Sequence, residues 1–359
     1  MSKNLLPEYS NQDEKRKFFS LEIIDTEDQF KDLFEKVLPS KFKEGGVWRG
    51  VSESQYKLFN SLQREDVKYK KLSSDDDVII AIKNSANHLD NWRSNIISKY
   101  FKNYGIEDVP IFAKLSILRH YGVPSPLIDW TRDPRVALFF ATQKHNNVDK
   151  EGIDNYFSIY FMTPNHPYYK LDFKLGYREV LENDEDFKNE VAKRVNIVVK
   201  HGGDHFLQQE LRERVENEYL QIALNDLELT LGNIKKQNIQ RIEDYPNDKI
   251  RHFIRNNLNI TAQNGLFIIN TDPIRPLEEA ILFRINNLAM QVGYPTIDIN
   301  KATKINKENF FCFDIHKKFI NRIIFELKKQ NFTKKTMEPN LKKLKDEITF
   351  EKITEGISR

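Results

Sequence analysis

An arginine set between an indole and a glycine, Trp48-Arg49-Gly50, is the group in this chain best suited to grip an anion. A guanidinium holds phosphate with two parallel N–H donors, a geometry that lysine cannot copy. The glycine beside it would let a ligand come close to the backbone. The competing reading is a buried ion pair in which Asp129 is the partner. Farther along, residues 115–141 read LSILRHYGVPSPLIDWTRDPRVALFFA and crowd His120, Tyr121, Asp129, Trp130 and Thr131 between two apolar segments. A recess that binds a ligand needs this mixture of polar and large apolar groups. His120 titrates near neutrality and suits proton transfer. It equally suits the C-terminus of a helix, where a cation is favoured. Tyr121 either stacks on a base or fills the core.

Other clusters carry weaker signals. His201-Gly202-Gly203-Asp204-His205, with Glu210, offers zinc-type ligands, but its paired glycines read as a turn, and no metal site is expected. Arg251-His252-Phe253-Ile254-Arg255 reads as a solvated helix face as readily as a phosphate contact. Cys312, the single cysteine, lies in Phe310-Phe311-Cys312-Phe313 and reads as a buried strand residue. The chain holds no phosphate-cradling glycine-rich loop, no nucleophile elbow and no paired-histidine metalloprotease motif.

The elements that must position these residues follow from periodicity and caps. Thr26-Glu27-Asp28-Gln29 is a helix start, with Phe30, Leu33, Phe34 and Val37 as its apolar stripe. Gly45-Gly46 ends that unit, and residues 47–51 read as a strand. After Ser73-Ser74-Asp75 a long amphipathic helix is predicted, with Ile79, Ile82, Ala86, Leu89, Trp92, Ile96 and Tyr100 at helical spacing. A second helix runs from Ile111 to Tyr121 and stops at Gly122 and Pro124. A third opens at Asp133-Pro134, with Thr131 or Asp133 as its cap. Strands are predicted at 156–162, 266–269, 280–285 and 311–315, and a short one at the β-branched residues Val195, Ile197, Val198 and Val199. Residues 180–194 and 206–231 read as charged helices, and 317–329 as an amphipathic helix with Phe319, Ile320, Ile323, Ile324 and Leu327 inward. Strands after helices argue for an α+β fold: a central, mostly antiparallel sheet flanked by helices. Residues 1–20 read as a mobile N-terminal segment, 21–345 as one domain with a helical elaboration at about 165–255, and 346–359 as a tail.

Composition narrows the function classes. Of the 359 residues, 39% are hydrophobic and 12% aromatic, enough for a core rich in rings. Charged residues make up 30%, yet the net charge is only +3, which gives no support to a globally basic nucleic-acid binder. One cysteine excludes an internal disulfide. No apolar run approaches the about 18 residues that a membrane span requires, so a cytoplasmic protein without a membrane partner is expected.

Taken together, Trp48-Arg49-Gly50, His120-Tyr121-Gly122-Val123-Pro124 and Leu127-Ile128-Asp129-Trp130-Thr131 resemble the FRG domain family, named for its Phe-Arg-Gly motif. Trp48 stands where the family has Phe, and Ser125-Pro126 stands where it usually has Thr-Arg. Gln263-Asn264-Gly265-Leu266-Phe267 and Met337-Glu338-Pro339-Asn340-Leu341 resemble two later elements of the family, so the resemblance runs from about residue 40 to 345. A more remote resemblance is to arginine-type ADP-ribosyltransferases. It implies an ADP-ribosyltransferase-like core and NAD as cofactor, held by Trp48, Arg49, Gly50, Trp130 and Thr131. It implies catalytic roles among His120, Tyr121, Asp129 and Gln263, with Gln263 where a glutamate is expected and Glu218, Glu278 and Glu279 as alternatives. By resemblance the protein is a bacterial toxin or phage-defence effector that modifies a protein or nucleic-acid target. The alternative is a non-catalytic module that recognises a nucleotide or a partner.

Overall fold

The computed structural model describes residues 6–91, 101–102, 109–143, 152–166, 185–244, 251–256, 258–291, 299–337 and 350–357. Its frame is a seven-stranded sheet in the order β1-β7-β4-β2-β3-β6-β5. The strands are β1 (Ser20–Ile24), β2 (Val47–Val51), β3 (Leu127–Thr131), β4 (Tyr156–Met162), β5 (Ile239–Ile242), β6 (Gly265–Asn270) and β7 (Phe310–His316). β1 runs parallel to β7, and every other pair is antiparallel. This is the α+β architecture expected.

The sheet is nearly divided. β2 pairs with β4 over five residues and β3 with β6 over five, but β2 and β3 share only the pair Trp48↔Thr131 among the described residues. Two plates, β1-β7-β4-β2 and β3-β6-β5, therefore meet at one rung of pairing among the described residues. Three cores follow from this geometry. One core lies under the first plate, where Trp48, Phe157, Ile159, Phe161, Phe313 and Ile315 meet α7 (Pro134–Ala141) and α14 (Ile320–Lys329). A second fills the opposite face of both plates, with α12 (Leu277–Gln291) as its cover. The third lies between β3, β5, β6 and the helices α4 (Ser61–Tyr69), α5 (Asp75–Asn91) and α6 (Ile111–His120).

Local chemistry places these elements. Thr26 and Gln29 form a capping box at the start of α2 (Glu27–Asp32), which continues through a π-helical stretch, Leu33–Val37, into α3 (Leu38–Lys43). Asn60 and Gln63 form a second capping box at α4. Gly122, at φ +85°, takes the left-handed conformation that ends α6. Asp133 caps α7 by accepting from the Arg135 N–H at 2.9 Å, with Pro134 in the first turn. In the 317–329 helix Phe319, Ile320, Ile323 and Leu327 are buried as predicted, after a short 3-10 turn at Lys317–Phe319.

Five expectations are corrected. The β-branched run after Arg194 is helical, inside α8 (Glu185–Lys200), which packs on α9 (His205–Asn225). Ion pairs from Arg194 to Glu190 (2.7 Å) and to Glu218 (2.8 Å) support that pairing, and tertiary packing overrides strand propensity. Residues 280–285 are also helical, inside α12. Its buried positions Leu277, Ala280, Ile281 and Ile285 keep a helical period, which the contiguous Ala-Ile-Leu-Phe run conceals. Residues 251–255 form no helix; His252 and Ile254 are buried there. The N-terminal segment is packed rather than mobile from Tyr9 onward. Tyr9 and Phe19 are core residues, and Lys15 of α1 (Gln12–Lys15) is fully buried against Asp314 at 2.5 Å. The C-terminal stretch likewise packs, with Ile353 and Thr354 fully buried and Asn84 donating to the Ile353 carbonyl at 3.2 Å. Trp92, Ile96, Tyr100 and residues 338–341 lie outside the described residues.

Candidate anion site in the sheet division

Arg49 stands in the division between the plates. It pairs across β4 with Tyr160, which puts it on the sheet face opposite Trp48. Its Nη1 donates to the backbone carbonyl of Asp129 at 2.5 Å and lies 4.0 Å from the Asp129 carboxylate. The arginine thus spans from β2 to β3 where the strands part. Asp129 also accepts from Arg119, in the last turn of α6, through its Oδ2. Burial opposes the charge on Asp129, but Arg119, Arg49 and His120 outweigh it and hold the carboxyl down to about 2.

Cations exceed anions here. Desolvation, then the charges of Arg119 and Arg49, lower Arg64 on α4 to about 10, although the residue is exposed at the surface. Burial, opposed by Asp129 and reinforced by Arg119, also lowers Arg49. Two guanidiniums, Arg49 and Arg119, meet one carboxylate, Asp129. The Nε–H groups of Arg49 and Arg119 are buried without a hydrogen-bond partner among the described residues, as is His120 Nε2. Burial pushes His120 down to about 4, so its ring is neutral at pH 7 and one nitrogen can accept a proton. Its ring sits 5.7 Å from that of Phe267.

The frame around the cluster is tied at several points. Ser125 and Ser61 exchange hydrogen bonds, Ser125 N to Ser61 Oγ (2.9 Å) and Ser61 Oγ to Ser125 O (3.1 Å), which joins the turn before β3 to the start of α4. Asn60 Nδ2 donates to Asn270 O at 2.9 Å and ties the same point to β6. Arg64 Nη1 donates to Phe59 O at 2.7 Å, which leaves its other donors uncommitted to that carbonyl.

The other expected site residues go elsewhere. Trp48 is fully buried, its ring 4.4 Å from that of Phe161, and Trp130 is 2% exposed in the core on the other face. Both build walls rather than line an opening. Gly50 is required by a helix, not by a ligand: a Cβ there would run into the Ala137 carbonyl of α7. Tyr121 is the C-cap residue of α6 and packs on the helical core. Thr131 Oγ donates to Gln263 O at 2.6 Å and accepts from Asp133 N at 3.0 Å, so it braces the closed end of the division. The Gln263 side chain donates to Met337 O at 2.8 Å. Among the alternative glutamates, Glu218 pairs with Arg194 and Glu279 with Lys57 at 2.7 Å. Glu278 alone acts on Arg49. It is fully buried, accepts from Tyr9 (2.5 Å) and Leu58 N (3.2 Å), and burial raises it to about 7. In the His201–His205 stretch, Asp204 caps α9 and His201 Nδ1 bonds the Ile197 carbonyl at 2.7 Å.

Sequence reasoning missed Arg64 and Arg119. Arg119 directly precedes His120-Tyr121, so its place could have been marked as a last-turn cation facing Asp129. Arg64 carries no local signal; only the fold brings α4 to the division. Comparison with curated proteins and with solved structures returns no match. Residues 44–150 match the model of the FRG domain, a span that includes β2, α4, α5, α6, β3 and α7. This chain therefore carries an FRG domain, and its three arginines and Asp129 all lie within it.

Proposed function

We propose that the division between β2 and β3 binds a nucleotide, with NAD as the ligand, in an ADP-ribosyltransferase-like protein that modifies a protein or nucleic-acid target. The carrying observation is the pair of guanidiniums at Arg49 and Arg119 on the single carboxylate of Asp129, with their buried Nε–H donors left unpaired among the described residues. Unpaired buried donors are rare in folded proteins, and phosphate oxygens are their natural acceptors. NAD, when bound, supplies an ADP-ribosyl group on a cleavable glycosidic bond. The protein's part is to hold the phosphates with Arg49, to keep Asp129 ionised beside the reacting sugar as a negative charge for positive charge to develop against, and to offer neutral His120 as a proton acceptor. A toxin or phage-defence role fits such an activity.

A second reading, a non-catalytic nucleotide-recognition module, is favoured by one observation: the Gln263 amide is bonded to Met337 O, so it supplies no carboxylate to the division. Incubation of the full chain with NAD separates the two. Nicotinamide release that vanishes in Arg49→Ala supports transfer chemistry. Saturable NAD binding without release supports recognition, and no binding by either protein sinks both.

A further inference from the structure

We infer that the tip of the α8–α9 hairpin docks on an anionic lipid surface and sets Ile197, Val199, Phe206 and Leu207 into its interface. This does not depend on the sheet division or on any chemistry done there.

The base of the hairpin is fixed in the helical core through Phe187 of α8 and Val215, Leu220, Ala223 and Leu224 of α9. Between those anchors, none of residues 188–214 is buried. The turn is nonetheless closely built. Asp204 caps α9 by accepting from Leu207 N at 2.9 Å, Gly203 N donates to the Val198 carbonyl at 2.9 Å, and Gly202 takes φ +74°. A Cβ on Gly203 would meet Val198 Cγ1 at 2.2 Å, so the two helix ends close on each other there. A turn capped in this way holds its outward side chains in place, and four of them are large and apolar. Phe206 is 74% exposed, Ile197 53%, Val199 51% and Leu207 45%. Monomeric proteins rarely leave such a cluster in water.

Two observations name the occupant. Ile197 and Val199 are two residues apart on one helix, which turns them about 160° from each other. Both are nonetheless bare. A flat protein partner, a second copy included, covers one side of a helix, whereas a fluid interface surrounds the tip and covers both. The charges then select the lipid. Lys193 and Lys200 are exposed on α8 beside the apolar residues, and Lys200 makes no ion pair among the described residues. The acid in the turn, Asp204, is engaged in the cap. Residues 193–207 thus carry Lys193, Arg194 and Lys200 against Asp204, three cations less one anion, a surplus of +2. Lysines that flank an apolar tip reach anionic headgroups while their stems follow the apolar side chains inward. No helix among the described residues is long and apolar enough to cross a membrane, so the contact is peripheral.

The test is flotation of the full chain with vesicles of phosphatidylcholine alone and of phosphatidylcholine mixed equally with phosphatidylglycerol. The proteins are wild type, the double variant Ile197→Ser with Phe206→Ser, the double variant Lys193→Gln with Lys200→Gln, and Phe206→Trp, with a melting curve for each. Wild type should bind the anionic vesicles about tenfold or more tightly than the neutral ones. The serine variant should lose about tenfold or more of that binding with an unchanged melting temperature, because neither side chain is part of a core. The glutamine variant should lose the preference for anionic lipid. Phe206→Trp should keep the binding, and brominated acyl chains should quench its added indole while leaving wild-type emission as it was; this decides the matter if the serine variant does not fold. Absence of wild-type binding to anionic vesicles overturns the inference, as does undiminished binding by the serine variant or an unquenched added indole. A wild-type dimer that the serine variant renders monomeric, without vesicle binding by either, overturns it too and gives the tip to a second copy.

Discussion

At the scale of single residues, Arg49 separates binding from folding. Asp129 keeps Arg119 when Arg49 is removed, so Arg49→Ala strands no carboxylate. The expected cost is therefore about 1–2 kcal/mol of stability, well below that of breaking a lone buried pair. Nucleotide binding should be lost while the melting curve stays cooperative, and a collapse of the fold would make Arg49 a structural residue instead. His120 carries a pH signature. In the unfolded chain its imidazole takes a proton near 6.5, whereas burial holds the folded ring neutral down to about 4. Its contribution to stability is thus complete above 6.5 and is lost as pH falls through that window. Urea midpoints at pH 7 and pH 5 should lie closer together in His120→Gln than in wild type; equal spacing would count against a buried neutral ring. Arg49 and Asp129 were legible in the sequence because an aromatic-Arg-Gly triplet and an acid between large apolar residues are unusual in themselves. Arg64 was not, because its neighbours in the chain are ordinary helix-surface residues and only α4's docking gives it meaning.

At the scale of elements, sequence pattern succeeded for short apolar runs bounded by polar residues, β4, β6 and β7, which are buried on both faces, and for the helix at 320–329, which buries one face. It failed at α12, where apolar neighbours in a row masked a helical period, and at the N-terminus, where a polar composition hid an anchor. Lys15 donates to Ser54 (2.9 Å), Ser158 (2.8 Å) and Asp314 (2.5 Å), all buried. Nothing local marks one lysine among many as the one that will be enclosed. Lys15→Met should cost about 3–5 kcal/mol, because Asp314 loses its counter-charge while remaining buried. Adding Asp314→Asn should restore part of that loss in chemical denaturation. If the double variant is no better than the single one, the charge on Asp314 is not the cause. Gly50→Ala tests a different contact, strand against helix. The Ala137 carbonyl leaves no space for a methyl group, and overpacking of this kind costs about 1–3 kcal/mol. A variant as stable as wild type would show that α7 can retreat.

At the scale of the whole molecule, the segment that matches the FRG model supplies both rims of the division but little of the two plates behind them. β2 rests on β4, and β3 on β6, and both supporting strands lie outside residues 44–150. The first strand of the chain pairs with the last, β1 with β7, so closure joins distant parts of the sequence and folding should be slow for a chain of this size. The one-rung join has a consequence for anyone who isolates the matched segment. Residues 44–150 alone would present β2 and β3 with their outer flanks bare, each offering an unpaired row of N–H and C=O groups beside apolar side chains. Such flanks recruit copies of themselves. The excised segment should therefore enter the insoluble fraction on expression, and dye-binding aggregates should grow from it after refolding, while the full chain stays dispersed under the same conditions.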